Sequence, residues 1–149
     1  MKNRLISIMF GLVFSLSVFA GNGMINVPSN HDVKTTADKL VKALEGKGLT
    51  VFARIDHSAG AKKVGKTLAP TELVIFGNPK VGTPLMNCSQ SAGIDLPQKA
   101  LIWEDSAGKT TLTYNDPKYL SDRHGLKACA KVIAKITGIL GKFAKVATQ

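Results

Sequence analysis

Residues 100–114 read ALIWEDSAGKTTLTY, and this stretch decides the fold class. Two runs of strand-forming residues, 100–104 and 110–114, flank a short turn that contains Gly108. A connection of this length predicts an antiparallel hairpin, because it returns the chain directly beside the strand it has just left. An antiparallel sheet is therefore the first expectation for this chain.

Three further segments have strand patterns. Residues 24–28 and 49–56 alternate apolar and polar side chains, which is the period of a half-buried strand. Residues 73–76 are continuously apolar, as an interior strand would be. In the strand predicted over 49–56, one face is expected to hold Leu49, Val51, Ala53 and Ile55.

Two segments predict amphipathic helices. Asp32 is a candidate N-cap for a helix over 33–44, and apolar residues recur at helical spacing over 123–147. Between them, residues 57–70 predict a loop with one helical turn. Residues 82–93 predict a short helix or an ordered loop before the hairpin.

The resulting order is strand, helix, four strands, helix. It predicts a single α+β domain with a curved antiparallel sheet and both helices on one face. The other face would carry more large apolar side chains than contact with water requires, and pairing of two copies would explain the excess. The sequence thus favours a homodimer through the face assigned to Phe52, Val74, Phe76 and Trp103.

Residues 1–20 have the composition of a secretory signal peptide. Lys2 and Arg4 precede an apolar run, and Ala20 places a small side chain at the −1 position of a cleavage site. The run is about 15 residues long, short of the roughly 20 that span a bilayer, which disfavours an uncleaved anchor. We expect cleavage after Ala20, a periplasmic or secreted domain over 21–149, and no stable membrane insertion.

The chain is basic, with 20 Lys and Arg against 10 Asp and Glu and a formal charge of +10. Nucleic acid is not expected as a partner, because an exported chain meets little of it. Lysines spaced by four on the final helix fit a solvated face, or a surface for polyanions or anionic lipid. These lysines are Lys127, Lys131 and Lys135.

Cys88 and Cys129 are too few for a disulfide scaffold or a four-cysteine zinc site. After export they could form one disulfide, remain two inert thiols, or act as a copper or redox pair. A Cα separation above about 7 Å would exclude the disulfide.

The three histidines, His31, His57 and His124, lack the i, i+4 spacing of a helical metal pair. A three-histidine metal site assembled by the fold stays an alternative. We expect His124 in a solvated position, paired with Asp122 or at a helix start. No metal and no cofactor is expected.

Polar residues cluster at the ends of two apolar strands. Arg54, Asp56 and His57 end one strand, and Asn78 follows the next. We predict a ligand groove between the loop after Asp56 and the turn at 77–79, with polar contacts from Arg54, His57 and Asn78. Asp56 beside His57 could instead act as an acid/base pair, or both could simply satisfy loop amides.

Five short motifs resemble one protein family. RIDH at 54–57, PTEL at 70–73, FGNPK at 76–80, DLP at 95–97 and YNDP at 114–117 follow the order of the bacterial and archaeal family called domain of unknown function 302. The resemblance spans residues 24–140 and implies a TATA-binding-protein-like α+β fold, but no reaction. The positions it carries over are Arg54, Asp56, His57, Phe76, Gly77, Asn78 and Pro79.

These observations favour a small exported binding or interaction domain without catalysis, whose partner is a small ligand or a protein. Two alternatives stay open: a periplasmic enzyme that uses Asp56 and His57, and a protein that binds a metal or haem. A tight polar pocket around His57 with a second titratable group would favour the enzyme. A flat solvated surface would favour binding.

Overall fold

The computed structural model describes residues 22–149, and the predicted signal peptide lies outside them. Five strands form one antiparallel sheet in the order β1-β5-β4-β3-β2. This confirms the α+β class and the predicted hairpin, in which Glu104 pairs with Thr110. The strands are β1 Met24–Pro28, β2 Thr50–Asp56, β3 Thr71–Gly77, β4 Gln98–Glu104 and β5 Thr110–Asn115.

The predicted order of strand, helix, four strands and helix is confirmed as the scaffold, with three shorter helices inserted in it. The first and last helices contact each other, and both contact the sheet from the same side. Within residues 22–149, none of the helices has the length and apolar character needed to cross a membrane. The helices are α1 Val33–Glu45, α2 His57–Lys63, α3 Pro79–Cys88, α4 Pro117–His124 and α5 Ala130–Thr148.

The core lies between the α1–α5 pair and the sheet. Asp32 caps α1 as predicted, because its carboxylate accepts a hydrogen bond from the Thr35 N–H at 2.6 Å. Leu40 and Leu44 on α1 are buried in one cluster with Val74 on β3. Burying such side chains contributes about 25 cal/mol per Å² of apolar surface, and this fixes α1 to the sheet.

The alternation of side chains along β2 is broken at Phe52, which forms a β-bulge between Val51 and Ala53. A bulge reverses the alternation beyond it, so Arg54 shares the helix-covered face with Val51. The strand itself is confirmed. The prediction of a single shared face is wrong for Leu49, Val51, Ala53 and Ile55.

Two predicted boundaries are wrong for local reasons. The segment 57–70 holds the seven-residue helix α2 and not one turn, since Asp56 caps it. The final helix begins at Ala130 and not near Arg123, because Gly125 adopts φ +67° and ends α4 there. The segment 82–93 divides between α3 and a short 3₁₀ helix, Gln90–Ile94.

The face of the sheet away from α1 and α5, here called the open face, differs from the predicted one. Val74 and Phe76 are buried beneath the helices, so their assignment to the open face is wrong. Trp103 does lie on the open face, where its indole N–H donates to Thr113 Oγ1 at 2.9 Å. The homodimer stays a prediction, now carried by Ile55, Leu73, Ile75, Leu101 and Trp103.

Candidate functional site

The four predicted site residues fall into two places that β2 holds apart. Asp56 pairs with Glu72 at one end of β2, and Thr50 pairs with Gly77, the neighbour of Asn78, at the other end. The seven residues of β2 separate these ends by about 20 Å. The predicted groove is therefore wrong, because antiparallel pairing brings the end of one strand to the start of the next.

Arg54 is engaged in ion pairs. Its guanidinium donates to Asp38 on α1 at 2.7 Å and to Glu72 on β3. The hydrogen bond to Glu72 is the main cause that raises the pKa of Arg54, and hydrogen bonds from Lys34 and then Arg54 lower the pKa of Asp38. Arg54 thus ties α1 to the sheet through charge-assisted hydrogen bonds.

Asp56 acts as the N-cap of α2. Its carboxylate accepts hydrogen bonds from Ser58 Oγ at 2.5 Å and from the Ala59 N–H at 2.8 Å, and these bonds lower the pKa of Asp56. His57 begins α2 with an exposed side chain, and within residues 22–149 no hydrogen bond joins its ring to Asp56. Arg54 and Asp56 share a shallow polar hollow of about 440 Å³, in which each already has partners.

Asn78 lies at the other end of β2, where it caps α3. Its Oδ1 accepts a hydrogen bond from the Lys80 N–H at 2.9 Å, and its Nδ2 donates to the Gly48 carbonyl at 3.4 Å. This position places Asn78 at the edge of a second cavity, which has a volume of about 500 Å³. Of the four predicted residues, Asn78 alone lines it among the residues the structure describes.

This cavity lies between α3, α5, the end of β3 and the segment that leads into β4. At Gly77 the side chains of Pro97 and Phe52 close in on the backbone, and a Cβ there would lie at contact distance from both, 3.4 Å from Pro97 and 3.5 Å from Phe52. The apolar lining includes Phe52, Val81, Met86, Leu96, Ile136 and Ile139.

Three nitrogen-bearing side chains line the same cavity, those of Lys47, Gln98 and Lys135. The Gln98 carboxamide nitrogen is buried and has no hydrogen-bond partner within the described residues. Lys47 and Lys135 are exposed, and neither is in an ion pair in that part of the chain. No Asp or Glu between residues 22 and 149 lines the cavity. The cavity is therefore apolar inside and positively charged at its edge.

His124 and Asp95 hold the segment beside the cavity. His124 Nε2 lies 2.6 Å from Asp95 Oδ2, and His124 Nδ1 lies 3.0 Å from Ser91 Oγ. The His124 side chain is 5% exposed, so the expected solvated pair with Asp122 is wrong; Asp122 pairs with Lys118. Ser91, His124 and Asp95 are connected in the order of a catalytic nucleophile, base and carboxylate. Neither of the two cavities described above is lined by Ser91 or His124. This favours a positioning role for the cluster.

Cys88 and Cys129 form a disulfide in the structure, with their Cα atoms 6.5 Å apart. The bond joins the end of α3 to the segment before α5, and these two helices both line the cavity. The histidines have different partners: His31 Nε2 lies 3.0 Å from the Gln149 carbonyl, whereas His124 contacts Asp95. Between residues 22 and 149, no three His, Cys, Asp or Glu side chains are placed to hold a metal ion.

The sequence pointed to parts of this cavity but not to the whole. Residues 77–79, predicted as a turn, line it, and so do Leu96 and Pro97 of the motif at 95–97. Lys135 and Ile136 come from a helix almost 40 residues further on. Helical spacing assigns Ile136 to an apolar stripe, but no local signal shows that this stripe leaves a space against α3.

Comparisons with known proteins agree on the fold. The family described as domain of unknown function DUF302 matches residues 25–143. A crystal structure of an uncharacterized conserved protein DUF302 from Bacillus stearothermophilus is similar, with a TM-score of 0.77 and 18% sequence identity. The similarity covers 87% of this chain and 100% of that one, and at this identity it shows the fold alone.

Two Brucella proteins are similar in sequence. The Fluoride-specific ion channel FluC 1 of Brucella suis biovar 1 (strain 1330) is 46% identical over 119 residues, which are 78% of this chain and 47% of that protein. The protein of the same name from Brucella abortus biovar 1 (strain 9-941) has the same identity, and the match covers 44% of it. The chain thus spans about half the length of the curated relatives it matches.

Proposed function

The chain belongs to the DUF302 family, whose description states no reaction, and from its own cavity we propose that it binds a small, largely apolar ligand without transforming it. The observation that carries the proposal is the cavity of about 500 Å³ between α3 and α5. Ligand sites typically measure roughly 300–1,000 Å³ and combine apolar walls with a few polar groups. Apolar ligand surface removed from water there contributes about 25 cal/mol per Å².

The walls of the cavity are supported from several directions. The disulfide joins α3 to the start of α5, and the Asp95–His124 hydrogen bond holds the segment before β4. Asn78 caps α3 at the cavity edge. A site with fixed walls loses little conformational entropy when it binds, which supports a binding role.

We favour binding over the enzymatic alternative because Asp56 is occupied as a helix cap and lies away from the cavity. The lysines at the cavity edge provide charge, but no carboxylate or imidazole between residues 22 and 149 accompanies them in the lining. A general acid and base pair would need such groups within hydrogen-bonding reach of the substrate. The relatives named as fluoride channels are about twice as long as the matched segment, so ion transport is left out of the proposal.

The proposal is tested by filling the cavity. Gly82 lines it, and a Cβ at Gly82 would make an ordinary contact, 3.9 Å from Leu96 Cδ1. The variant Gly82→Leu should therefore fold while its side chain occupies the ligand space. Binding of the neutral apolar dye N-phenyl-1-naphthylamine, followed by fluorescence, should weaken by about tenfold, which corresponds to roughly 1.4 kcal/mol.

The matched control is Gly138→Leu, a second helical glycine with open space around it and no place in the cavity lining. It should bind the dye like the unchanged protein. If the unchanged protein does not bind the dye, or if both variants lose binding equally, the proposed function is wrong.

We also propose that the protein acts outside the cytoplasm as a self-associating domain. Export is supported by the composition of residues 1–20 and by the disulfide, since disulfides persist in oxidising compartments. Self-association is supported by the apolar side chains of the open face. The intact mass of the exported protein should be that of a chain that begins at Gly21. The variant Ala20→Arg puts a large charged side chain at the −1 position, so it should remain as the uncleaved precursor. A mature protein that keeps Met1 would contradict cleavage.

A further inference from the structure

The groups that line the cavity specify the charge of its ligand. The Gln98 side chain lines the cavity, and its amide nitrogen is buried with no hydrogen-bond partner among the described residues. A buried donor without a partner is costly, so a ligand that brings an acceptor to it gains the hydrogen bond that the fold leaves unmade. This unmade hydrogen bond favours a ligand that carries an oxygen acceptor as well as an apolar body.

The formal charges around the cavity have one sign. Lys47 follows α1, and Lys135 lies on α5, so two separate elements each contribute a lysine to the lining of the same cavity. Within residues 22–149, no acidic side chain lines the cavity to neutralise either lysine. The Asn78 Oδ1 accepts a hydrogen bond from the Lys80 backbone N–H. An anionic group is the complement of this set.

We propose that the ligand is an amphiphile with an apolar chain and a carboxylate headgroup, held by Lys47, Lys135 and Gln98. This inference rests on the proposed function and adds the chemical class of the ligand. The chain lies against the apolar walls, and the carboxylate meets the two ammonium groups and the carboxamide. Exposed ion pairs contribute modestly, so the headgroup gives selectivity and the apolar chain gives most of the affinity.

The experiment compares headgroups on one chain length. Dodecanoate, dodecyl phosphate, dodecanol and dodecyltrimethylammonium, below their micelle-forming concentrations, each displace N-phenyl-1-naphthylamine from the full exported protein. Dodecanoate should bind about tenfold more tightly than dodecanol, and the ammonium compound least tightly. The preference for dodecanoate should shrink as salt is raised, because the lysines are exposed.

The double variant Lys47→Glu/Lys135→Glu should remove the preference for dodecanoate and leave dodecanol binding unchanged. Its matched control is Lys131→Glu/Lys142→Glu, which changes the net charge equally at exposed lysines of α5 outside the cavity lining. The control should keep the preference within about twofold, since long-range charge is screened. Gln98→Leu should reduce dodecanoate binding and leave the protein folded, because it removes a buried group without a partner.

The outcomes separate the inference from the proposed function. If no amphiphile displaces the dye and the dye itself does not bind, the cavity is not a ligand site. If dodecanol binds as tightly as dodecanoate, or if both double variants behave alike, the cavity binds apolar chains and the carboxylate assignment is wrong. If dodecyl phosphate alone shows the charge preference, the headgroup is a phosphate and the carboxylate assignment is likewise wrong.

Discussion

Arg54 connects three elements through one guanidinium. It belongs to β2, contacts Asp38 on α1 and pairs with Glu72 on β3. The Arg54 side chain is 35% exposed and is screened by solvent, whereas the Glu72 side chain is only 12% exposed. Loss of the arginine would therefore destabilise the fold mainly at Glu72, whose carboxylate would stay largely buried without its ion-pair partner.

Replacing this arginine should lower stability. Arg54→Met should reduce the free energy of unfolding by about 1–2 kcal/mol, measured by urea denaturation, after allowance for solvent screening. The matched variant Lys118→Met breaks an exposed pair with Asp122 and should leave the free energy of unfolding nearly unchanged, because solvent screens that pair. Equal losses in the two variants would show that the Arg54 contacts contribute nothing specific. Binding of the naphthylamine dye should not change in either.

Asp38 and Asp56 make stability depend on pH. Hydrogen bonds from Lys34 and Ser58, respectively, are the main causes that lower their pKa values below 3.8 in the folded protein. The folded state therefore binds fewer protons than the unfolded state near pH 4. The contribution is complete well above pH 3.8 and is lost as the pH falls through the lower folded pKa.

The measurement is the urea concentration at the midpoint of unfolding, taken at several pH values between 7 and 2.5. This midpoint should decrease as the pH falls below about 4. Asp56→Asn keeps a side chain that can cap α2 but removes the titrating group, so its decrease should be shallower. If the midpoint of Asp56→Asn follows the unchanged protein throughout, the Asp56 carboxylate does not contribute to the acid transition.

At the scale of elements, signals that act over a few residues were predictable. The 100–114 hairpin follows from a short turn, and the start of α1 follows from Asp32, since both depend on adjacent side chains. The end of α4 was missed because Gly125 interrupts an apolar pattern that continues on both sides. Phe52 gave no local sign of a bulge, which arises from how β2 aligns with β3.

The disulfide should contribute most of the stability that joins α3 to α5. Cys88 and Cys129 are separated by 41 positions, and closing such a loop stabilises the fold by about 4 kcal/mol in the chain-entropy model. The double variant Cys88→Ala/Cys129→Ala should unfold at a lower urea concentration than the oxidised protein. The reduced, unsubstituted protein is the control, since it lacks the bond but keeps both side chains.

Thiol titration gives an independent measure of the same bond. The native protein should show no reactive thiol in denaturant until a reductant is added, and then two. Equal urea midpoints for the oxidised and reduced proteins would contradict the stabilising role of the disulfide.

At the scale of the whole molecule, the candidate site is where sequence reasoning failed. Polar residues at the ends of two apolar strands suggested one groove, which would be correct for parallel neighbours. Antiparallel pairing instead places Asp56 and Asn78 at opposite ends of β2. The cavity that does form needs α3 and α5 to meet beside the sheet, and that meeting depends on tertiary packing rather than on any single motif.

The open face of the sheet is where a second copy is expected to pack. Between residues 22 and 149, Lys99 is the one charged side chain that strand pairing places on it, although the whole chain carries +10. The Lys99 ammonium donates to the carbonyls of Asp95 and Pro97, both at 3.0 Å. A contiguous apolar surface with so little charge is typical of the centre of an interface, and a two-fold axis would pair it with itself.

Sedimentation velocity should therefore show a dimer at tens of micromolar protein. The variant Leu73→Lys should be monomeric, because the lysine charge would be buried at the centre of the contact without a partner. Met24→Lys is the matched control, since strand pairing places Met24 on the same face but on the edge strand β1, opposite Asn115 and away from the apolar cluster. Trp103 offers a second readout: its emission should shift to shorter wavelength as the dimer forms and its ring leaves water. A monomer at every concentration, with emission independent of dilution, would leave the open face to solvent and restrict the function of the protein to its cavity.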